Sequence, residues 1–219
     1  MEKNQIIIIP CYNEVKTILK IYNKAKKFGK VIVIDDFSID GTRELLEKKN
    51  IFFLKNKKNY GYEKTLINGF KHVLKKFKNI KYILTLDADN ELPIKYIPKI
   101  LKKIKKEDTN MVIAKRNKFN RISERLISLL FLLFFRIKDP LSGMKIYKKS
   151  FLKKYVKSLS KNLFLVDLIL FGIKDGKKIT ELKIHVNKRK DNSRLGSLFK
   201  VNLKILNILF KVLVRKIIN

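Results

Sequence analysis

Asp87 and Asp89, followed by Glu91, close a short apolar run at residues 82–86. In an extended segment residues i and i+2 point the same way, so both aspartates would face one side. Hard oxygen donors at that spacing suit Mg2+ or Mn2+ bridging a diphosphate, where the cation stabilises charge on a departing nucleotide. Alone the pair is weak evidence, because turns after strands often carry aspartate. Two earlier apolar runs end in acids as well. Pro10-Cys11-Tyr12-Asn13-Glu14 closes the first, and Asp35-Asp36-Phe37-Ser38-Ile39-Asp40-Gly41-Thr42 closes the second.

Such residues act together only if their strands end on one rim, and the pattern upstream supplies that frame. Short β-branched runs at 6–9, 31–34, 51–54 and 82–86 alternate with amphipathic stretches at 14–28, 40–49 and 63–77. This repeated β-α unit predicts an α/β fold with a parallel sheet covered on both faces. Asp40 precedes the helical stretch that begins near Gly41, while Asn59 and Gly61 open the next. A helix at 94–104 and a strand at 111–114 continue the series. Ligands in such sheets bind beyond the carboxyl ends of the strands, where these acids fall. Neither G-x-G-x-x-G nor G-x-x-x-x-G-K occurs in the chain, so the ligand must be held otherwise.

The acids run against the composition. The 219 residues carry 52 Lys+Arg against 19 Asp+Glu, a formal charge of +33. A bound cation would relieve repulsion within an acidic rim, and the global excess calls for an anionic partner or surface. Part of it also reflects a chain rich in Lys, Ile and Asn throughout. The single cysteine, Cys11, cannot form an internal disulfide, and a reducing compartment is expected. Four isoleucines before Pro10 are too few for a signal peptide. The apolar stretch 126–137 is too short to cross a bilayer and reads as a core helix or an interfacial one. At 100° per residue, 198–218 places Lys200, Lys204, Asn207, Lys211 and Arg215 in one narrow sector of an otherwise apolar helix. That pattern predicts a membrane-surface helix over 197–219, or one packed on the domain or a partner, after a catalytic domain over 1–196.

Five blocks in order carry a resemblance: Ile9-Pro10-Cys11-Tyr12-Asn13-Glu14; Val33-Ile34-Asp35-Asp36 through Gly41-Thr42; Asn59-Tyr60-Gly61 with Asn68-Gly69; Leu86-Asp87-Ala88-Asp89; and Asp139-Pro140-Leu141-Ser142-Gly143-Met144. Together they resemble glycosyltransferase family 2, and within it the dolichyl-phosphate mannosyltransferase and polyprenyl-phosphate glycosyltransferase branch. The resemblance implies a Rossmann-like GT-A fold and inverting transfer from GDP-mannose or a UDP-hexose to a polyprenyl or dolichyl phosphate. It would place the protein on the cytoplasmic face of a membrane as a peripheral enzyme. It assigns Pro10, Tyr12, Glu14, Ile34, Asp36, Asp87, Ala88, Asp89 and Glu91 to the donor, and Asp87, Asp89 and Glu91 to Mg2+ or Mn2+. Glu91 stands where the family often has Gln. Arg116, Arg125, Ser128, Ser193 and Arg194 would meet the acceptor phosphate. Either Lys188 or Arg189 would clamp the diphosphate beside the catalytic Asp89. A phosphate monoester is already a nucleophilic oxyanion at neutral pH, so cationic positioning groups suffice and no base is required.

Other readings make different demands. A sugar hydroxyl acceptor would need a base, for which Asp139 is the candidate, although Asp139 also fits a plain turn residue. Asp167 lies on an apolar helix at 164–171, either near the acceptor or in a structural pair. A nucleic-acid-binding surface would interleave exposed aromatics with bases, whereas these aromatics sit within apolar runs and the acidic rim would repel phosphate without a metal. A nucleotidyltransferase would open with a Gly-rich basic loop after the first strand, which 10–14 lacks.

Overall fold

The structure, a computed structural model, describes residues 4–119, 121–159 and 166–187. The predicted helix at 197–219, with Lys188, Arg189, Ser193 and Arg194, lies outside the described residues. Seven strands form one sheet: β1 (Gln5–Cys11), β2 (Lys30–Asp35), β3 (Phe53–Lys55), β4 (Tyr82–Thr85), β5 (Met111–Arg116), β6 (Lys145–Lys148) and β7 (Ile179–Ile184). Their order is β3-β2-β1-β4-β6-β5-β7. All neighbours are parallel except β6, which runs antiparallel to both β4 and β5. The sequence pattern did not reveal β6 or β7, because neither is a continuous apolar run. The reversal of β6 matters for the site, since it brings the start of β6 beside the carboxyl end of β4.

Strand alternation builds two cores. Ile6, Ile8, Ile32 and Ile34 point to one face and pack with α3 (Tyr62–Lys76), α5 (Ile122–Phe135), α6 (Lys149–Tyr155) and α7 (Val166–Lys174). Ile7, Ile9, Val31 and Val33 point to the other, under α1 (Ile18–Ala25), α2 (Thr42–Lys48) and α4 (Ile97–Lys106). Burial on both faces explains why these strands read as unbroken apolar runs. The first helix is shorter than the expected 14–28 stretch. Asn13 adopts φ +56, and the next residues form a turn in which the Thr17 and Ile18 amides donate to the Glu14 carbonyl. Asp40 lies one residue before the N-cap, Gly41, rather than capping α2 itself: its Oδ1 accepts from the Thr42 amide, while Oδ2 accepts from the Val15 amide.

Helix α5 is core on one side only. Ser123, Glu124, Ile127, Ser128 and Phe131 are buried, while Ile122, Leu126, Leu129, Leu132, Leu133 and Phe134 are exposed. Among the described residues no helix is long and apolar enough to cross a membrane.

Helix α3 lies close to the sheet because Gly69 faces it. A Cβ there would stand 2.2 Å from Ile34 Cδ1 and 3.1 Å from Ile8 Cγ2. Gly69→Ala should therefore destabilise by about 1–3 kcal/mol through overpacking. Because the nearest atom is one methyl, Ile34→Val should recover part of that loss. Urea unfolding of the two single variants and the double variant measures the coupling, and strict additivity would contradict this packing.

Candidate active site

Asp87 lies just beyond β4, and three elements fix it. The Tyr62 hydroxyl, from the first turn of α3, donates to Asp87 Oδ1 at 2.9 Å. Gly143, just before β6, backs the carboxylate so closely that a Cβ would fall 1.9 Å from Oδ2. Thr85 ties the two segments together. Its hydroxyl donates to the Gly143 carbonyl at 2.7 Å and accepts from the Lys145 amide at 3.2 Å. Desolvation and the neighbouring Asp89 push the Asp87 carboxyl up to about 7, with Glu91 adding to the rise while Tyr62 and Arg116 oppose it. Asp89 Oδ1 accepts from the Glu91 amide at 3.0 Å, and Asn90 between them adopts φ +62. Among the described residues no three His, Cys, Asp or Glu side chains are grouped closely enough to hold a metal by themselves. The donor set still fits a hard divalent cation, because Mg2+ is usually bound through one or two carboxylates plus substrate phosphates. Repulsion between Asp87 and Asp89 is the strain that such a cation would relieve.

Farther along the same rim, beyond β1, the end of β2 is an anchored loop. Asp35 accepts from the Phe37 and Ser38 amides and pairs with Arg43, whose Nη2 also donates to the Asn56 carbonyl at 2.9 Å. Asp36, assigned to the nucleoside, has both oxygens engaged by protein. Oδ1 accepts from the Tyr60 amide at 2.8 Å and Asn56 Nδ2 at 2.7 Å, and Oδ2 from the Gly61 amide at 2.8 Å. The side chain thus fixes the loop that opens α3 and, through α3, Tyr62. Gly61 takes φ +82 there, a conformation open to glycine. Among the other assigned donor residues, Pro10 and Glu14 are buried and Tyr12 is half-buried. Ile34 and Ala88 are core side chains, so only their main chains can meet a ligand.

On the far side of β4, Arg116 ends β5 and meets Asp139. Asp139 Oδ2 accepts from the Arg116 amide and Nε, both at 2.9 Å, and Oδ1 accepts from Nη2 at 3.0 Å. Glu124 of α5 stands 3.7 Å from Arg116 Nη1. Burial alone would lower the arginine pKa, yet Asp139 and Glu124 raise it above its usual range. Glu181 of β7 fixes this corner by accepting from the Lys138 and Asp139 amides. The Arg116 fork, assigned to the acceptor phosphate, is thus held by protein carboxylates. Arg125 is exposed on α5 and Ser128 is buried. Lys145 starts β6 between the two corners. Burial brings its ammonium down to about 8 despite the opposing pull of Asp139 and Asp87, and Arg116 adds to the fall. Asp167 is buried at the start of α7.

Sequence reasoning missed Tyr62, Arg43, Asn56, Gly143 and Lys145 as parts of this site. Gly143 lies within the Asp139-Pro140-Leu141-Ser142-Gly143-Met144 block and Lys145 directly follows it, so their position was signalled. Nothing in the spacing pointed to Tyr62.

A mainly parallel sheet with helices on both faces and carboxylates along its carboxyl edge is the GT-A class of fold. The chain belongs to glycosyl transferase family 2, whose model matches residues 6–167. An uncharacterized protein of Methanocaldococcus jannaschii is 34% identical over 170 residues, covering 68% of this chain and 73% of that one. An undecaprenyl-phosphate 4-deoxy-4-formamido-L-arabinose transferase of Salmonella choleraesuis is 26% identical over 145 residues, covering 58% of this chain and 43% of its own length. Among solved structures, glucosyl-3-phosphoglycerate synthase from Mycobacterium tuberculosis, in complex with Mn2+, UDP and phosphoglyceric acid, superposes with a TM-score of 0.75 at 15% identity. That match covers 96% of this chain and 78% of the other. The same enzyme is known with Mg2+ and UDP.

Gly143→Ala should push the Asp87 carboxylate, the far end of a half-buried side chain, out of its present place and weaken Mn2+-dependent nucleotide binding at least about 10-fold, measured by calorimetry. A second outcome concerns pH. An acid whose folded pKa is raised binds its proton more tightly folded than unfolded. The ligand-free protein should therefore lose stability as pH rises from about 4 to about 7. Asp87→Asn should flatten that slope and raise the melting temperature at pH 7.5 by about 5 °C, on a scale of 2–4 °C per kcal/mol. An unchanged slope would contradict the desolvation argument.

Proposed function

We propose that this glycosyltransferase moves a hexose from a nucleotide sugar to a polyprenyl phosphate at an anionic membrane surface, with Mg2+ or Mn2+ on Asp87 and Asp89. Glu91 stands beside the ion, and Lys188 or Arg189 clamps the diphosphate. The ion would neutralise charge on the departing nucleotide diphosphate. The first strand end and the loop held by Asp36 would bound the nucleoside, and Tyr62 would hold Asp87 in orientation.

One observation carries the acceptor reading: the bare apolar face of α5, bracketed in sequence by Arg116 and Asp139. Exposed Lys118, Arg125, Arg136 and Lys138 surround that face, while Glu124 points inward. An apolar helix face rimmed by cations suits the headgroup boundary of an anionic bilayer. It would bring a lipid-borne phosphate to the Arg116 corner. The likeness to an undecaprenyl-phosphate transferase supports the same reading. A sugar hydroxyl acceptor would instead need a base. Asp139 is buried and already accepts three hydrogen bonds from Arg116, which weakens it as a base. A phosphate acceptor brings its own nucleophile.

Transfer of radiolabelled sugar from a panel of GDP- and UDP-sugars into polyprenyl phosphate in detergent, with Mn2+ or Mg2+, tests the proposal. One donor should give lipid-linked product, and Asp89→Ala should lower the rate at least about 100-fold. Donor binding without lipid product would move the acceptor to a glycan hydroxyl. For the surface, the double substitution of Leu129 and Leu133 by Asp should weaken binding to anionic vesicles at least about 10-fold. Unchanged vesicle binding would remove α5 from the interface.

A further inference from the structure

Two polar groups on the segment between the donor and acceptor corners lack partners. Ser142 Oγ is fully buried and has no hydrogen-bond partner. Lys145 is 3% exposed, and among the described residues its ammonium makes no hydrogen bond and no ion pair. Both belong to the run Asp139-Pro140-Leu141-Ser142-Gly143-Met144-Lys145, whose ends are fixed independently. Asp139 is gripped by Arg116, and Lys145 is pinned by its amide bond to Thr85 and its register opposite Thr85 on β4 and Ile113 on β5. The ammonium feels the fields of Asp87, Asp139 and Arg116 without touching a carboxylate of either acid. The Lys145 ammonium is not among the fully enclosed atoms, so it keeps an accessible edge, and a nearly buried cation without a protein acceptor is costly unless something else completes it.

We infer that Lys145 contacts a phosphate oxygen of the bound substrate. The inference rests on the glycosyltransferase reading above and adds a residue that the family resemblance left unassigned. The division of charge in the site supports it. Arg116, the expected phosphate ligand, has its fork occupied by Asp139 and Glu124, so among the described residues the nearly buried cation with free donors is Lys145. Phosphate could reach it from the donor diphosphate or from the acceptor monoester. Both present the same oxyanion chemistry, and a lysine meets either as a point charge. A role only as counter-ion to Asp87 and Asp139 would need neither contact.

The test is calorimetric titration of the wild type, Lys145→Met and Lys145→Arg with two ligands. One is UDP or GDP in the presence of Mn2+, and the other is citronellyl phosphate, a soluble short-chain analogue of a polyprenyl phosphate. Lys145→Met, which keeps side-chain volume, should lose at least about 10-fold in affinity for one ligand, and Lys145→Arg should retain most of it. Loss in the nucleotide arm assigns the contact to the donor, and loss in the citronellyl arm to the acceptor. Equal affinity of all three proteins in both arms overturns the inference. If Lys145→Met does not fold, the Lys145 Cε resonance of 13C-lysine-labelled wild type gives the same decision. It should move on addition of one ligand, and a fixed resonance through saturation with both overturns the contact. Wild type that binds nucleotide but not citronellyl phosphate would defeat the polyprenyl-phosphate reading, while the nucleotide arm still decides Lys145.

Discussion

The packing of Asp87 against Gly143 is the constraint on which the site depends. The Asp87 carboxylate occupies the space that a Cβ at Gly143 would need, with Oδ2 1.9 Å from where that atom would stand, so glycine there leaves the carboxylate its present place. The antiparallel β6 exists in the fold at the place where that contact requires it. The Thr85 hydroxyl joins β4 to the Gly143 carbonyl and the Lys145 amide, so the donor corner and the start of β6 move as one body. Tyr62 adds α3 to that body, and Asp36 adds the loop before α3. The acid with the strongest reason to seek a cation is thus held in place by a tyrosine hydroxyl and a glycine.

Elsewhere the rim settles its charge within the protein. Asp35 pairs with Arg43, and Asp139 with Arg116. Each pair commits a cation of a strongly basic chain to hold an acid that shapes a loop. Buried pairs of this kind contribute little net stability, because desolvation offsets most of the attraction, but removing one partner is costly. Their effect here is positional: Arg43 steadies the β2 loop, and Arg116 steadies the turn after α5. The β4 carboxylates are treated differently. Among the described residues no arginine fork closes on Asp87, whose direct partner is a tyrosine hydroxyl. The basic excess is visible instead on surfaces such as the rim of α5.

Much of the frame was legible in the chain. The isoleucine-rich runs of β1 and β2 announced buried strands, and the acids after β1, β2 and β4 announced the rim, because a strand and the loop at its end are contiguous in sequence. Asp40 was readable as a helix start for the same reason. Other features depend on pairing across distance. Lys145–Lys148 carries lysines at both ends and resembles a surface turn until β4 and β5 enclose it. Asp36 was legible as a site residue, but its engagement with the Tyr60 and Gly61 amides was not, since that loop lies 24 residues away. Helix α5 reads as uniformly apolar, and only packing showed that one side faces outward. The basic block at 188–194 and the amphipathic stretch at 197–219 lie outside the described residues.

Anomalous diffraction at the manganese edge tests the central claim most directly, using crystals grown with Mn2+ and UDP or GDP. The account requires one strong peak between Asp89 and the bound diphosphate, adjoining Asp87, and its loss in Asp89→Ala crystals. A nucleotide bound with no manganese at these carboxylates, or manganese bound elsewhere on the rim, would contradict it.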